Sequence, residues 1–106
     1  MKEKPNLNYV KNLAGEDKVF EKKFIGILKA EFPEEKWEYL GNIKANRPRE
    51  ASLNVHKLKH KFNILGLMEG YGLAVRYEED LRIGNTELKN EFLVILETLD
   101  EYIKTI

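Results

Sequence analysis

His56, Lys59 and His60 crowd into the stretch Val55-His-Lys-Leu-Lys-His-Lys-Phe-Asn-Ile-Leu-Gly-Leu67, the part of the chain best equipped for chemistry. An imidazole changes its protonation near neutral pH and can attack, carry a proton or bind a metal. Lys59 follows His56 at i+3, so an ammonium group stands one helical turn away. His56 and His60 are four apart, a spacing that can hold a metal ion on a helix. The sequence offers no HExxH glutamate and no obvious third ligand, so no metal site is expected. Lys57 and Lys61 read as a solvated charge run. A surface histidine without consequence is the plain alternative for His56 taken alone.

The element that presents these residues is a helix from about Pro48 to about Gly66. At roughly 100° per residue, Ala51, Val55, Leu58, Phe62 and Leu65 fall on one stripe and make its core-facing surface. His56 lies well off that stripe and shares its face with Ser52, Lys59, His60 and Asn63. Leu53, Ile64 and Leu67 border the same face on the side away from the core. The imidazole is therefore expected in solvent, with an apolar margin beside it. Asn46-Arg-Pro is a stop-and-start signal, and Pro48 suits the first turn of a helix because its missing N–H is not needed there.

Helical periodicity runs through most of the remaining chain. Leu7, Val10 and Leu13 indicate a short amphipathic helix ending near Ala14-Gly15. Glu16 or Asp17 opens a longer pattern in which Val19, Phe20, Phe24, Ile27, Leu28 and Phe32 recur, and after Pro33 it resumes with Trp37, Leu40 and Ile43. Pro33 either separates two helices or kinks one. Trp37 and the five phenylalanines read first as core material. Gly70, Tyr71 and Gly72 loosen the pattern before Leu73, Val75 or Arg76, Tyr77 and Leu81 mark another helix, ending at Ile83-Gly84. Asn85 or Thr86 can cap the last helix, whose seam is Leu88, Phe92, Ile95 or Leu96, Leu99, Tyr102 and Ile103. No alternating strand pattern competes. Short connections between helices favour neighbours in sequence as neighbours in space. The expectation is an all-α, antiparallel four-helix bundle over about 16–105, preceded by a short extra N-terminal helix over about 6–14, as one domain spanning 1–106.

Composition bounds the function. With 106 residues the chain has room for one modest core. Acidic and basic residues balance at 18 each, so no global field draws it to nucleic acid or an anionic membrane. The absence of cysteine removes disulfides and thiol chemistry and fits a reducing compartment. No leader-like or membrane-spanning apolar run occurs, and the expected location is the cytoplasm. There is no phosphate-binding loop, no glycine-rich nucleotide fingerprint, no serine or cysteine triad and no second base evidently paired with His56, so an independent enzyme is not expected.

The His56 stretch resembles the motif of the histidine-containing phosphotransfer (HPt) domain of multistep phosphorelays: a small residue, His, any residue, Leu or Ile, Lys, Gly, and later Leu or Phe and Gly. Those places are taken here by Val55, His56, Lys57, Leu58, Lys59, His60 and Leu65-Gly66. Phe24 through Phe32, Pro33, Trp37, Leu40 and Ile43 resemble the family's long first bundle helix. Glu78 and Leu81, ahead of Gly84, resemble the helix after the active histidine. The likeness spans about Leu13 to Ile83. Two positions depart from it: Val55 replaces the more usual alanine, and His60 replaces a glycine that lets a partner approach closely.

The resemblance implies a phosphoryl carrier. His56 would accept a phosphoryl group from a receiver-domain aspartate and pass it to another receiver, in a relay fed by a hybrid histidine kinase. Lys59 would neutralise phosphoryl charge as a point cation, and a protonated His60 could add to it. The domain would need no cofactor of its own, with Mg²⁺ carried by the receiver. Leu53, Ile64 and Leu67 would supply apolar contact with the receiver if exposed, with Ser52 and Asn63 beside them, and the carrier would be monomeric. Gly66 would serve the helix end or close packing. The competing reading is a non-phosphorylated adaptor, or a degenerate HPt domain, binding a partner through the apolar surface beside His56.

Overall fold

The computed structural model describes residues 3–106, and over them the chain is all-helical: α1 (Asn8–Ala14), α2 (Lys18–Lys44), α3 (Pro48–Ile64), α4 (Met68–Arg82) and α5 (Lys89–Ile103). Asp17 opens α2 by accepting the Phe20 N–H at 3.0 Å, which satisfies a backbone donor that the first turn leaves free. Pro33 neither ends nor divides this helix. Its missing N–H is tolerated because Leu28 and Phe32 before it and Tyr39 after it are all anchored in the core. At ~1.5 Å per residue, α2 accounts for most of the longest dimension of the molecule, 45 Å.

Three helix ends close in the same way. The residue after the cap adopts a left-handed conformation (Asn46 at φ 57°, Gly66 and Gly84 at 83°), and the next N–H reaches back to the last turn. These bonds run from Arg47 to Asn42 O, from Leu67 to Phe62 O and from Asn85 to Asp80 O, each at 2.8 Å. At α3 this geometry folds Leu67 back onto Phe62, and both side chains are fully buried. A Cβ on Gly66 would overlap the Asn6 side chain, so that glycine serves both the helix end and a close approach.

Each of α2 to α5 packs on the next, and α5 returns to α2, so the four surround a common core; α1 packs on α2. The stripe Ala51, Val55, Leu58, Phe62 and Leu65 is fully buried, as its spacing predicts. Phe92 of α5 stacks against Phe62, Tyr39 and Tyr77, and the two tyrosine hydroxyls share a buried hydrogen bond of 2.5 Å. Burial and that hydrogen bond push the Tyr39 hydroxyl well above the usual range.

The core corrects several expectations. Trp37 is 77% exposed and Phe20 is exposed, because α2 buries Leu28, Phe32 and Tyr39, and Trp37 lies on the opposite face. Gly70 and Gly72 sit inside α4, which begins at Met68. Gly70 packs against Ile95, and the Glu3 carboxylate accepts the N–H groups of Glu69 and Gly70 at 2.8 and 3.0 Å. The last helix begins at Lys89, with Asn85 satisfying the Glu87 N–H in the turn before it. Among the described residues no helix is long and apolar enough to cross a membrane.

Candidate functional site

His56 projects from the middle of α3 with its side chain 53% exposed. Its inner nitrogen is not free. Nδ1 lies 3.1 Å from Oε2 of Glu78, a residue of α4 whose side chain is almost completely buried. Burial alone would raise the Glu78 carboxyl, but Lys59 and His56 beside it overcome that and hold it below the usual carboxylate range. An ionised carboxylate only accepts hydrogen bonds, so Nδ1 carries the proton. The lone pair of the neutral ring is thereby placed on Nε2, and half of the ring faces solvent. A buried acid thus fixes the tautomer and the orientation of an exposed nucleophile.

Glu78 gathers two further cations. Lys59 Nζ stands 2.9 Å from Oε1 as an ion pair, and Arg82, one turn along α4, donates to Oε2 at 2.5 Å. A carboxylate taken from water needs such partners, since an isolated buried charge costs several kcal/mol or more, at roughly the scale of a domain's whole stability. With Lys59 and Arg82 both charged, the cluster is net positive before His56 is counted. The surface around Nε2 therefore suits an anion.

Of the site residues read from the sequence, His56, Lys59 and His60 come together. The His60 ring stands edge-on to His56 with centroids 5.2 Å apart, and His60 is exposed. Lys59 is largely covered and directed at Glu78, so its charge is shared with a carboxylate. Leu53 and Asn63 are exposed, and Ile64 is partly buried against the core. Two expected surface contacts are corrected. Leu67 is fully buried by the α3 closing turn, and Ser52 is buried with its hydroxyl donating to Arg49 O at 2.6 Å. Lys61 is corrected as well: it is buried and paired with Glu31 and Glu35 of α2 at 3.1 and 3.0 Å, not part of a solvated run. Among the described residues no group of three or more His, Cys, Asp or Glu side chains is placed to hold a metal ion.

Compared with protein-family models, curated proteins and solved structures, the chain matches none of them. The arrangement of the site therefore carries the functional argument.

Sequence reasoning missed Glu78 and Arg82 as site residues, and missed that His56 has an acidic partner. A signal was present. Gly70, Leu73, Ala74, Tyr77, Glu78 and Leu81 follow core-facing helical spacing, and all are buried. A carboxylate in such a seam must find cations on the facing helix.

Proposed function

We propose that the protein is a phosphorelay carrier of the HPt type, an antiparallel four-helix bundle with an extra N-terminal helix that accepts a phosphoryl group on Nε2 of His56. The observation that supports this most is the Glu78–His56 hydrogen bond, because it gives an exposed imidazole one defined nucleophilic nitrogen.

Nε2 attacks the phosphorus of a receiver's aspartyl phosphate. The N–P bond forms as the P–O bond to the aspartate breaks, and the aspartate leaves as a carboxylate. Nδ1 keeps its proton throughout, donated to Glu78, so the positive charge that develops on the ring is met by a carboxylate. Attack by another receiver's aspartate on the phosphohistidine reverses these changes. The transition state is loose and anionic at its phosphoryl oxygens, so the domain's share is positioning and electrostatics. Lys59 and His56 keep Glu78 ionised, Lys59 and Arg82 leave the local field positive, and His60 can add charge when protonated. Leu53 and Asn63 offer the receiver exposed contact beside the imidazole. Mg²⁺ belongs to the receiver, and a hybrid histidine kinase is the upstream source. The domain carries the group and is not itself an enzyme.

The adaptor reading draws on Leu53, a large apolar side chain 67% exposed one turn from His56. The deciding experiment is phosphoryl transfer from a panel of phosphorylated receiver domains to the wild type and to His56→Gln. Acid-labile, base-stable label on the wild type and none on the variant is the expected result. Receiver binding without transfer, equal for both proteins, would leave only the adaptor.

A further inference from the structure

Among the described residues no element covers the outer face of α2, although it belongs to the longest helix and carries large apolar side chains. Val19 and Trp37, 79% and 77% exposed, lie at its two ends. At about 100° per residue they are five full turns apart and point the same way. Gly26 and Ala30 lie between them on the same stripe, both exposed, and a side chain at Gly26 would point into open space. Ile27 borders the stripe and is 48% exposed.

Charge divides this face in two. Its first half carries Lys18, Lys22 and Lys23, which line a shallow depression around Val19, while Lys29 lies near the middle. The second half carries Glu34 and Glu38 around Trp37. Glu31, Glu35 and Lys36 are already held by ion pairs within the chain, whereas Lys22, Lys23 and Glu34 have no ion-pair partner among the described residues. Lys44 lies beyond both segments in the last turn, and the basic segment around Val19 and the acidic one around Trp37 are complementary when the helix is turned end for end about Leu28.

We infer that this face is the interface of a homodimer in which α2 packs antiparallel against α2 of a second copy. A two-fold axis level with Leu28 brings residues equidistant from it face to face. Trp37 of each copy then sits on Val19 of the other, among its lysines. Glu34 lies beside the other copy's Lys23 on the same side of the seam, and Ile27 meets Ile27. Gly26 and Ala30 face each other at the crossing, where small residues let the helix axes approach. One patch supplies both partners of every contact, as a closed two-fold interface requires. The inference departs from the monomer that the HPt resemblance implies. His56 and Glu78 lie on α3 and α4, so each copy keeps its own site.

Sedimentation equilibrium across micromolar concentrations tests this without any phosphoryl-transfer assay, so its outcome is independent of the proposed function. A reversible monomer–dimer equilibrium is expected. Trp37→Ala should raise the dimer Kd by roughly thirtyfold, the effect of removing a large aromatic anchor. Lys23→Glu and Glu34→Lys should each weaken the dimer, and the double variant should recover most of the loss, because the swapped charges again face one another. Since the chain has no cysteine, Ile27→Cys should give an interchain disulfide on mild oxidation, and Val94→Cys, on the exposed side of α5, should not. A wild type that stays monomeric throughout would overturn the inference. So would a dimer indifferent to Trp37→Ala, or a double variant no better than the single ones.

Discussion

Two buried ionic clusters flank α3, and they use the same physics for different ends. On the α4 side, the buried Glu78 carboxylate gathers Lys59, Arg82 and His56. On the α2 side, the buried Lys61 ammonium gathers Glu31 and Glu35. Each satisfies a charge that could not be buried alone, and each ties α3 to a neighbour. The Lys61 clasp ends in carboxylates that do nothing further, whereas the Glu78 cluster ends in an imidazole with one nitrogen bound and the other in solvent. What separates a structural clasp from a candidate site is one reactive atom left exposed.

Replacing the acid that orients His56 should have the largest consequence. In Glu78→Gln the side chain has the same shape but no longer demands a proton on Nδ1, and it strands Lys59. We expect transfer to His56 to fall at least ~10-fold and stability to drop by about 2 kcal/mol. Single-turnover transfer and urea denaturation read the two effects separately. Unchanged transfer would detach Glu78 from the chemistry.

Lys61→Ala is the matching cut on the other side. It leaves Glu35, largely covered, facing the half-exposed Glu31, so the loss is expected at the lower end for a broken buried pair, ~1–2 kcal/mol. Transfer should match the wild type once both proteins are folded. A transfer defect in this variant would erase the distinction between the clusters.

Acid should probe the Glu78 cluster directly. The folded-state pKa of Glu78 is depressed below its ordinary value of 4.5, so its stabilising contribution is complete above that value and is lost as pH falls through the depressed one. Asp100, which burial opposes but Lys104 and Lys36 hold down, behaves in the same direction. Thermal melts between pH 7 and 3 should therefore show a shallower acid-side decline in Glu78→Gln than in the wild type, with the Asp100 component remaining. A decline of equal steepness in both proteins would contradict the pairing.

The smallest folding effect is expected from Leu53→Glu. The side chain is exposed, so stability should change by less than ~0.5 kcal/mol, while affinity for a receiver that docks beside His56 should fall. Titration calorimetry with the wild type and the variant would measure it, and unchanged affinity would move the docking surface elsewhere.

The α3 stripe was legible because the five apolar positions and the helix repeat agree, and a residue as far off the stripe as His56 then has to be exposed. Trp37 was misread because its spacing to Leu40 and Ile43 also looks helical. The core of α2 instead follows Leu28, Phe32 and Tyr39, and a tryptophan on the opposite side is left 77% exposed, with none of the described residues covering it. Leu67 was misplaced because helical periodicity was carried past Gly66, where the backbone turns left-handed and folds the next side chain inward.

Sequence by itself determined the helical class, the turn at Asn46–Pro48 and the two faces of α3, since each depends on interactions within a few residues along the chain. Tertiary structure decided that Glu78 sits beneath His56, across 22 residues of sequence, and that Lys61 is clasped by α2. Those pairings depend on which faces of separate helices meet. Periodicity shows that a buried charge needs a partner, and only the packing of α3 between α2 and α4 supplies it.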